Sequence, residues 1–149
     1  MKKVFFGVIV TLFLLLPTVV LAQTATINDV ALEHNAFMSG QKGVKAHVDF
    51  SVDDCGGEKI WVCLFVFDSD YEPVPASSRQ YSAPDGQLTV QVPTIPPYES
   101  SENHDFILFL PYNQLHYVGS SADFNLKVCI IKEGDELDYT WASFSLNRY

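Results

Sequence analysis

The 149-residue chain carries four histidines and three cysteines, the side chains best suited to general-base and nucleophilic chemistry near neutral pH. His34, His47, His104 and His116 are scattered along it. His104-Asp105 is a sequential imidazole–carboxylate pair, but neighbours on a strand point to opposite faces, so it is not expected to form a base with its orienting carboxylate. No GxSxG elbow occurs, and no serine stands in a recognisable nucleophile setting. Cys63 and Cys129 fall inside apolar runs, where a thiol stays protonated and inert. Cys55 stands at a turn, and the three spacings form neither a CxxC redox motif nor a zinc knuckle. The expectation is a non-enzyme with no catalytic residue, no metal ligand set and no cofactor.

Carboxylates gather in three places: Asp53, Asp54 and Glu58; Asp68, Asp70 and Glu72; and Glu133, Asp135, Glu136 and Asp138. Calcium needs several oxygens from adjoining loops, yet no EF-hand or repeat spacing is present, and such clusters are ordinarily solvated charge. Tyr98, Tyr112 and Tyr117, in the long connections, are the candidate binding aromatics, able to stack on sugars, anchor a protein or cap the core. Trp61 and Trp141 lie within strand patterns and are assigned to the core.

The elements that must position these groups are short strands separated by turn signals. Val44, Ala46, Val48, Phe50 and Val52 alternate with Lys45, His47, Asp49 and Ser51, one dry face against one wet. Strands are also expected at Thr26–Asn35, Ile60–Phe67, Gln87–Val92, Phe106–Leu110, Asp123–Ile131 and Leu137–Leu146, the last with a bulge between Trp141 and Phe144. Asp53-Asp54-Cys55-Gly56-Gly57, Pro84-Asp85-Gly86 and Glu133-Gly134-Asp135 supply turns. The connection Pro93–Asn103 holds Pro93, Pro96 and Pro97, which bars a central strand, and Pro111–Ser121 has room for one helical turn.

An eighth strand at Arg79–Ser82 is the favoured reading, and would send the 53–58 and 133–136 loops to opposite ends. The fold expected is an all-β, immunoglobulin-like or related antiparallel sandwich of seven to eight strands. Any disulfide should join Cys63 to Cys129, both mid-strand in neighbouring strands of one sheet, leaving Cys55 free. Ile60–Phe67 is apolar on both parities, so a two-layer sandwich leaves one of its faces to be covered by loops or by a partner.

Lys2 and Lys3, the apolar run from Val4 to Leu16, Pro17 and Val20-Leu21-Ala22 read as a signal peptide cleaved after Ala22. The domains are then 1–22, the signal, and 23–149, a single sandwich. The apolar run is shorter than the ~20 residues of a membrane span, and no membrane insertion is expected after cleavage. Removing Lys2 and Lys3 takes the nine basic residues to seven against eighteen acidic, net −11. Such a surface repels phosphate backbones, which excludes nucleic acid as a natural partner. The destination is periplasm, cell surface or medium.

Val30-Ala31-Leu32-Glu33-His34-Asn35, the Gly40-Gln41-Lys42-Gly43 turn, Asp85-Gly86-Gln87 and the stretch from Asp105 to His116 resemble a β-sandwich accessory module. That module occurs in exported or multidomain gut-bacterial proteins, attached to kinase-like, caspase-like or repeat domains. The resemblance covers most of the chain after the signal. It implies a fold and no established activity, since the shared motifs are structural. The function expected is a non-catalytic protein-interaction or structural module. The alternatives are a carbohydrate-binding module using the loop tyrosines and, below it, an inhibitor of a secreted protease.

Overall fold

The computed structural model describes residues 21–147, so the signal-peptide expectation for Met1–Val20 lies outside the described residues. Seven strands run in chain order: β1 Thr24–Met38, β2 Gln41–Asp53, β3 Ile60–Phe67, β4 Thr89–Thr94, β5 Ser101–Pro111, β6 Ser121–Lys132 and β7 Asp135–Asn147. They form two antiparallel sheets, β1-β2-β5 and β4-β3-β6-β7. This is the all-β sandwich expected. In a constant-type immunoglobulin domain the fourth strand belongs to the first sheet; here it pairs with β3 in the second.

The turns follow from backbone chemistry. Ser39-Gly40 and Glu133-Gly134 each place two successive residues at positive φ, closing two-residue hairpins between Met38 and Gln41 and between Lys132 and Asp135. That geometry matches the right-handed twist of the flanking strands. Gly56 is needed for room rather than for φ: a Cβ there would lie 2.7 Å from the Glu99 amide nitrogen.

The alternation in β2 appears as read, with Val44, Ala46, Val48, Phe50 and Val52 all buried. They meet Ile60, Val62, Leu64 and Val66 of β3 and Phe124, Leu126, Val128 and Ile130 of β6 in one core. At roughly 1.5–3 kcal/mol for each large apolar side chain buried, this layer dominates the stability of the fold. Pro93 sits in β4, an edge strand, where its missing N–H costs no ladder bond.

Three expectations need correcting. The Arg79–Ser82 stretch is no eighth strand: Arg79–Tyr81 is a single 3-10 turn, and only isolated bridges such as Ser82–Leu88 flank it. With seven strands the 53–58 and 133–136 loops share one end of the sandwich, where Lys132 bonds Glu58 at 2.6 Å. The β7 irregularity lies at Ile130/Ile131 against Asp138/Glu136, not between Trp141 and Phe144. The third concerns the tryptophans. Trp141 is 42% exposed and pairs with Lys127 on the outer face, while Phe144 points inward and is buried. The parity of β7 is therefore unbroken from Tyr139 to Leu146, and the apparent shift came from assigning Trp141 to the core. The helical turn after Pro111 is present at Tyr112–Gln114.

Candidate functional site

β3 has two apolar faces, and the structure shows which one the core takes. Ile60, Val62, Leu64 and Val66 are fully buried between the sheets, so Trp61, Cys63, Phe65 and Phe67 project from the outer face of the four-stranded sheet. Across that face β7 adds Tyr139 and Trp141 and β6 adds Lys127 and Ile131. Trp141 meets Phe67 at 5.1 Å and Tyr71 at 5.2 Å between ring centroids. Lys127 lies 4.5 Å over the Tyr139 ring and bonds Glu136 at 2.7 Å. Tyr71, Tyr139 and Trp141 are 57%, 52% and 42% exposed, while Trp61, Phe65 and Phe67 are half-buried. The connection expected over Pro93–Asn103 is shorter, residues 95–100 between β4 and β5, and is bonded at the Cys55 end instead, through the Pro96 carbonyl to the Gly57 amide and the Glu99 carbonyl to the Cys55 amide. The Pro111–Ser121 connection turns inward, burying Leu115 in the core.

Cys63 and Cys129 face each other at the middle of this surface as register partners of β3 and β6. Both are buried. The Cys63 thiol, as hydrogen-bond partner, and then burial push the Cys129 thiol far above its ordinary range. Cys55 is raised too, chiefly by burial. Neither is poised as a nucleophile.

The opposite face of the molecule carries a row of imidazoles and carboxylates. β5 places two residues, His104 and Asp105, against Asp49 of β2, and Asp105 adopts φ +60°. This bulge sends both neighbours to the same face, contrary to simple strand alternation. Asp105 bonds His47 Nδ1 while Glu33 lies 3.2 Å from Nε2. The pair with Asp105 is the first cause raising the His47 pKa. A carboxylate stands at each ring nitrogen, and both favour the protonated ring. His104 lies 3.7 Å from Asp49 and 3.5 Å from Glu102. The sequence pair thus splits between two different partners.

The acidic loops hold cations of the chain itself. Lys132 Nζ stands between Glu58, at 2.6 Å, and Glu133, at 3.8 Å. Asp68 accepts the amides of Asp70 and Glu72. A concavity of about 470 Å³ opens between Asp68–Pro75 and His116–Phe124; its second carboxylate, Asp123, accepts the Ser145 hydroxyl. Among the described residues no group of three or more His, Cys, Asp or Glu side chains is arranged to hold a metal ion.

Comparison with protein-family models, with curated proteins and with solved structures finds no match.

The loop tyrosines are not brought together. Tyr98 is exposed near the Cys55 end. Tyr112 and Tyr117 lie at the other end, where the Tyr112 hydroxyl accepts the Asn35 amide and Tyr117 packs edge-on to Phe124. The sequence marks one face of Ile60–Phe67 as needing cover from loops or a partner but leaves open which, and it assigns Trp61 and Trp141 to the core. The structure assigns the odd parity of β3, Trp61, Cys63, Phe65 and Phe67, to that face, and adds Tyr139 and Trp141 of β7 to it.

Proposed function

We propose that the chain is an exported, non-catalytic binding module that meets a protein partner through the outer face of its four-stranded sheet. The half-open aromatic row of Trp61, Phe65, Phe67, Tyr139 and Trp141 carries this reading. Exposed apolar patches of this kind mark interaction sites, and Trp and Tyr are the residues on which binding energy concentrates. Export is supported by Lys2-Lys3 and the apolar run after them.

A carbohydrate ligand is the second reading, favoured by the exposure of Tyr139 and Trp141. Ring orientation weighs against it. Trp141 meets Phe67 at 64° and Tyr71 at 85° between planes, so these rings do not make the flat platform on which sugar rings stack. Edge-to-face clusters suit interdigitation with protein side chains.

A photo-crosslinking side chain at position 141, introduced in the cells that make the protein, tests the proposal. It should yield one defined crosslinked protein that the same probe at Ala31, on the opposite sheet, does not. A product of twice the chain mass would make a second copy the partner. Identical products from both positions, or none, would overturn the reading, and glycan binding abolished by Trp141→Ala would replace it with the second.

A further inference from the structure

We propose that Cys63 and Cys129 form a cross-strand disulfide that staples the two central strands of the four-stranded sheet, with Cys55 left as a free thiol. The register places the two residues directly opposite each other on β3 and β6. Opposed residues of antiparallel strands have Cα atoms about 4.5–5.5 Å apart, inside the range of about 4.4–6.8 Å that a disulfide spans. Opposed residues also share a face, so both thiols rise from the outer side of the sheet. There they form the middle of the row Gln91, Cys63, Cys129, Tyr139. Both are free thiols in this structure, closed off from solvent at 1% and 0% exposure, with the Cys63 thiol as the hydrogen-bond partner of Cys129.

Cys55 is excluded by position. It belongs to the core between the sheets, and its thiol donates to the Asp53 carbonyl at 3.4 Å. A bridge from it to either partner would have to cross a strand of the sheet.

The chemistry is thiol–disulfide exchange with a disulfide-bearing small thiol or oxidoreductase. The Cys63 thiolate attacks a donor sulfur, forming a mixed disulfide and releasing one donor thiolate. The Cys129 thiolate then attacks the Cys63 sulfur and releases the second. Two protein thiols become one disulfide, and two electrons and two protons pass to the donor. Because the folded sheet buries both sulfurs, closure belongs to folding, before the flanking Trp61, Phe65 and Lys127 side chains settle. The inference goes beyond the binding reading and does not depend on it, since it concerns the sheet beneath the face.

Refolding the full chain in a glutathione redox buffer, followed by acid quench, decides the matter. The expected product weighs about 2 Da less than the reduced protein and exposes one titratable thiol under denaturant. Its non-reducing peptide map joins the segments holding Cys63 and Cys129. Cys55→Ala should keep the bridge, and reduction should lower the thermal midpoint by on the order of 10 °C. Three titratable thiols after oxidative refolding, or a link that involves Cys55, would overturn the proposal.

Discussion

At the scale of single residues, charge is held in pairs whose titration can be followed. Lys132 is only 5% exposed, and its bond to Glu58 is the first cause that raises the lysine pKa and lowers the glutamate pKa. The Gln23 side chain donates to the same Glu58 carboxylate at 2.6 Å. A lowered carboxylate contributes stability above its unfolded value, about 4.3, and loses it as pH falls through the lower folded value. A raised ammonium contributes fully below about 10.4 and loses it only above its folded value. The advantage of wild type over Lys132→Met in thermal midpoint should therefore be flat from about pH 5 to 10 and shrink in acid. His47 has the opposite acid behaviour. Its raised pKa makes its contribution complete below about 6.5 and lost as pH rises through the folded value. Wild type should gain on His47→Gln as the buffer moves from about pH 8 to 6, in the same melting experiment.

At the scale of the element, β3 divides into a face that holds the fold and a face that does not. Val66→Asp places a carboxylate among fully buried side chains. An unpaired buried charge costs several kcal/mol against a total stability of about 5–15 kcal/mol, so this variant should be unfolded by circular dichroism. Phe65→Asp lies on the outer face and should stay folded while losing the partner. In β2, Gly43 faces a different limit. A Cβ there would stand 2.3 Å from the Leu110 carbonyl oxygen and 2.8 Å from the Phe109 ring, so Gly43→Ala should cost about 1–3 kcal/mol in denaturant titration.

The same elements show what pattern reasoning can reach. β2 was legible because a strand with one wet face writes its period in polarity, and the bounds of Ile60–Phe67 came out unchanged. A strand apolar on both parities carries no such mark, which is why Trp61 was misplaced, whereas Trp141 was misplaced because an outward-facing aromatic on an alternating strand reads as core. His104 and Asp105 were misread for a local reason: positive φ at Asp105 is a property of the bulge, and the alternation rule assumes its absence. Arg79–Ser82 has strand-like neighbours, but bonds from Tyr81 to Ser78 and from Ser82 to Arg79 curl it into a turn.

At the scale of the molecule, the first and last strands of the chain bring the two sheets together along one side. There β1 lies beside β7, the Ile27 amide donates to Asp138 at 2.7 Å, and His34 contacts Phe144. On the other side, β4 and β5 leave a cleft of about 390 Å³ lined by Tyr81, Val92, Ile107 and Phe109. Export predicts a native protein beginning at Gln23, which intact mass of material recovered from the producing cells will read directly. A retained Met1 would contradict it.

β1 opens where Thr24 pairs with Asp53, and β7 closes where Asn147 pairs with Ser121. Those two points lie at opposite ends of the sandwich, and the strands between them run side by side in the same direction. A pull applied across Thr24 and Asn147 therefore acts along the strands. The rungs joining β1 to β2 and β6 to β7 must slip together rather than open one after another like a zip. A domain loaded in this way resists extension more than one peeled from a single end. In single-molecule stretching, attachment at these two positions should rupture at higher force than attachment at Thr24 and Asp53, which unzips β1 from β2.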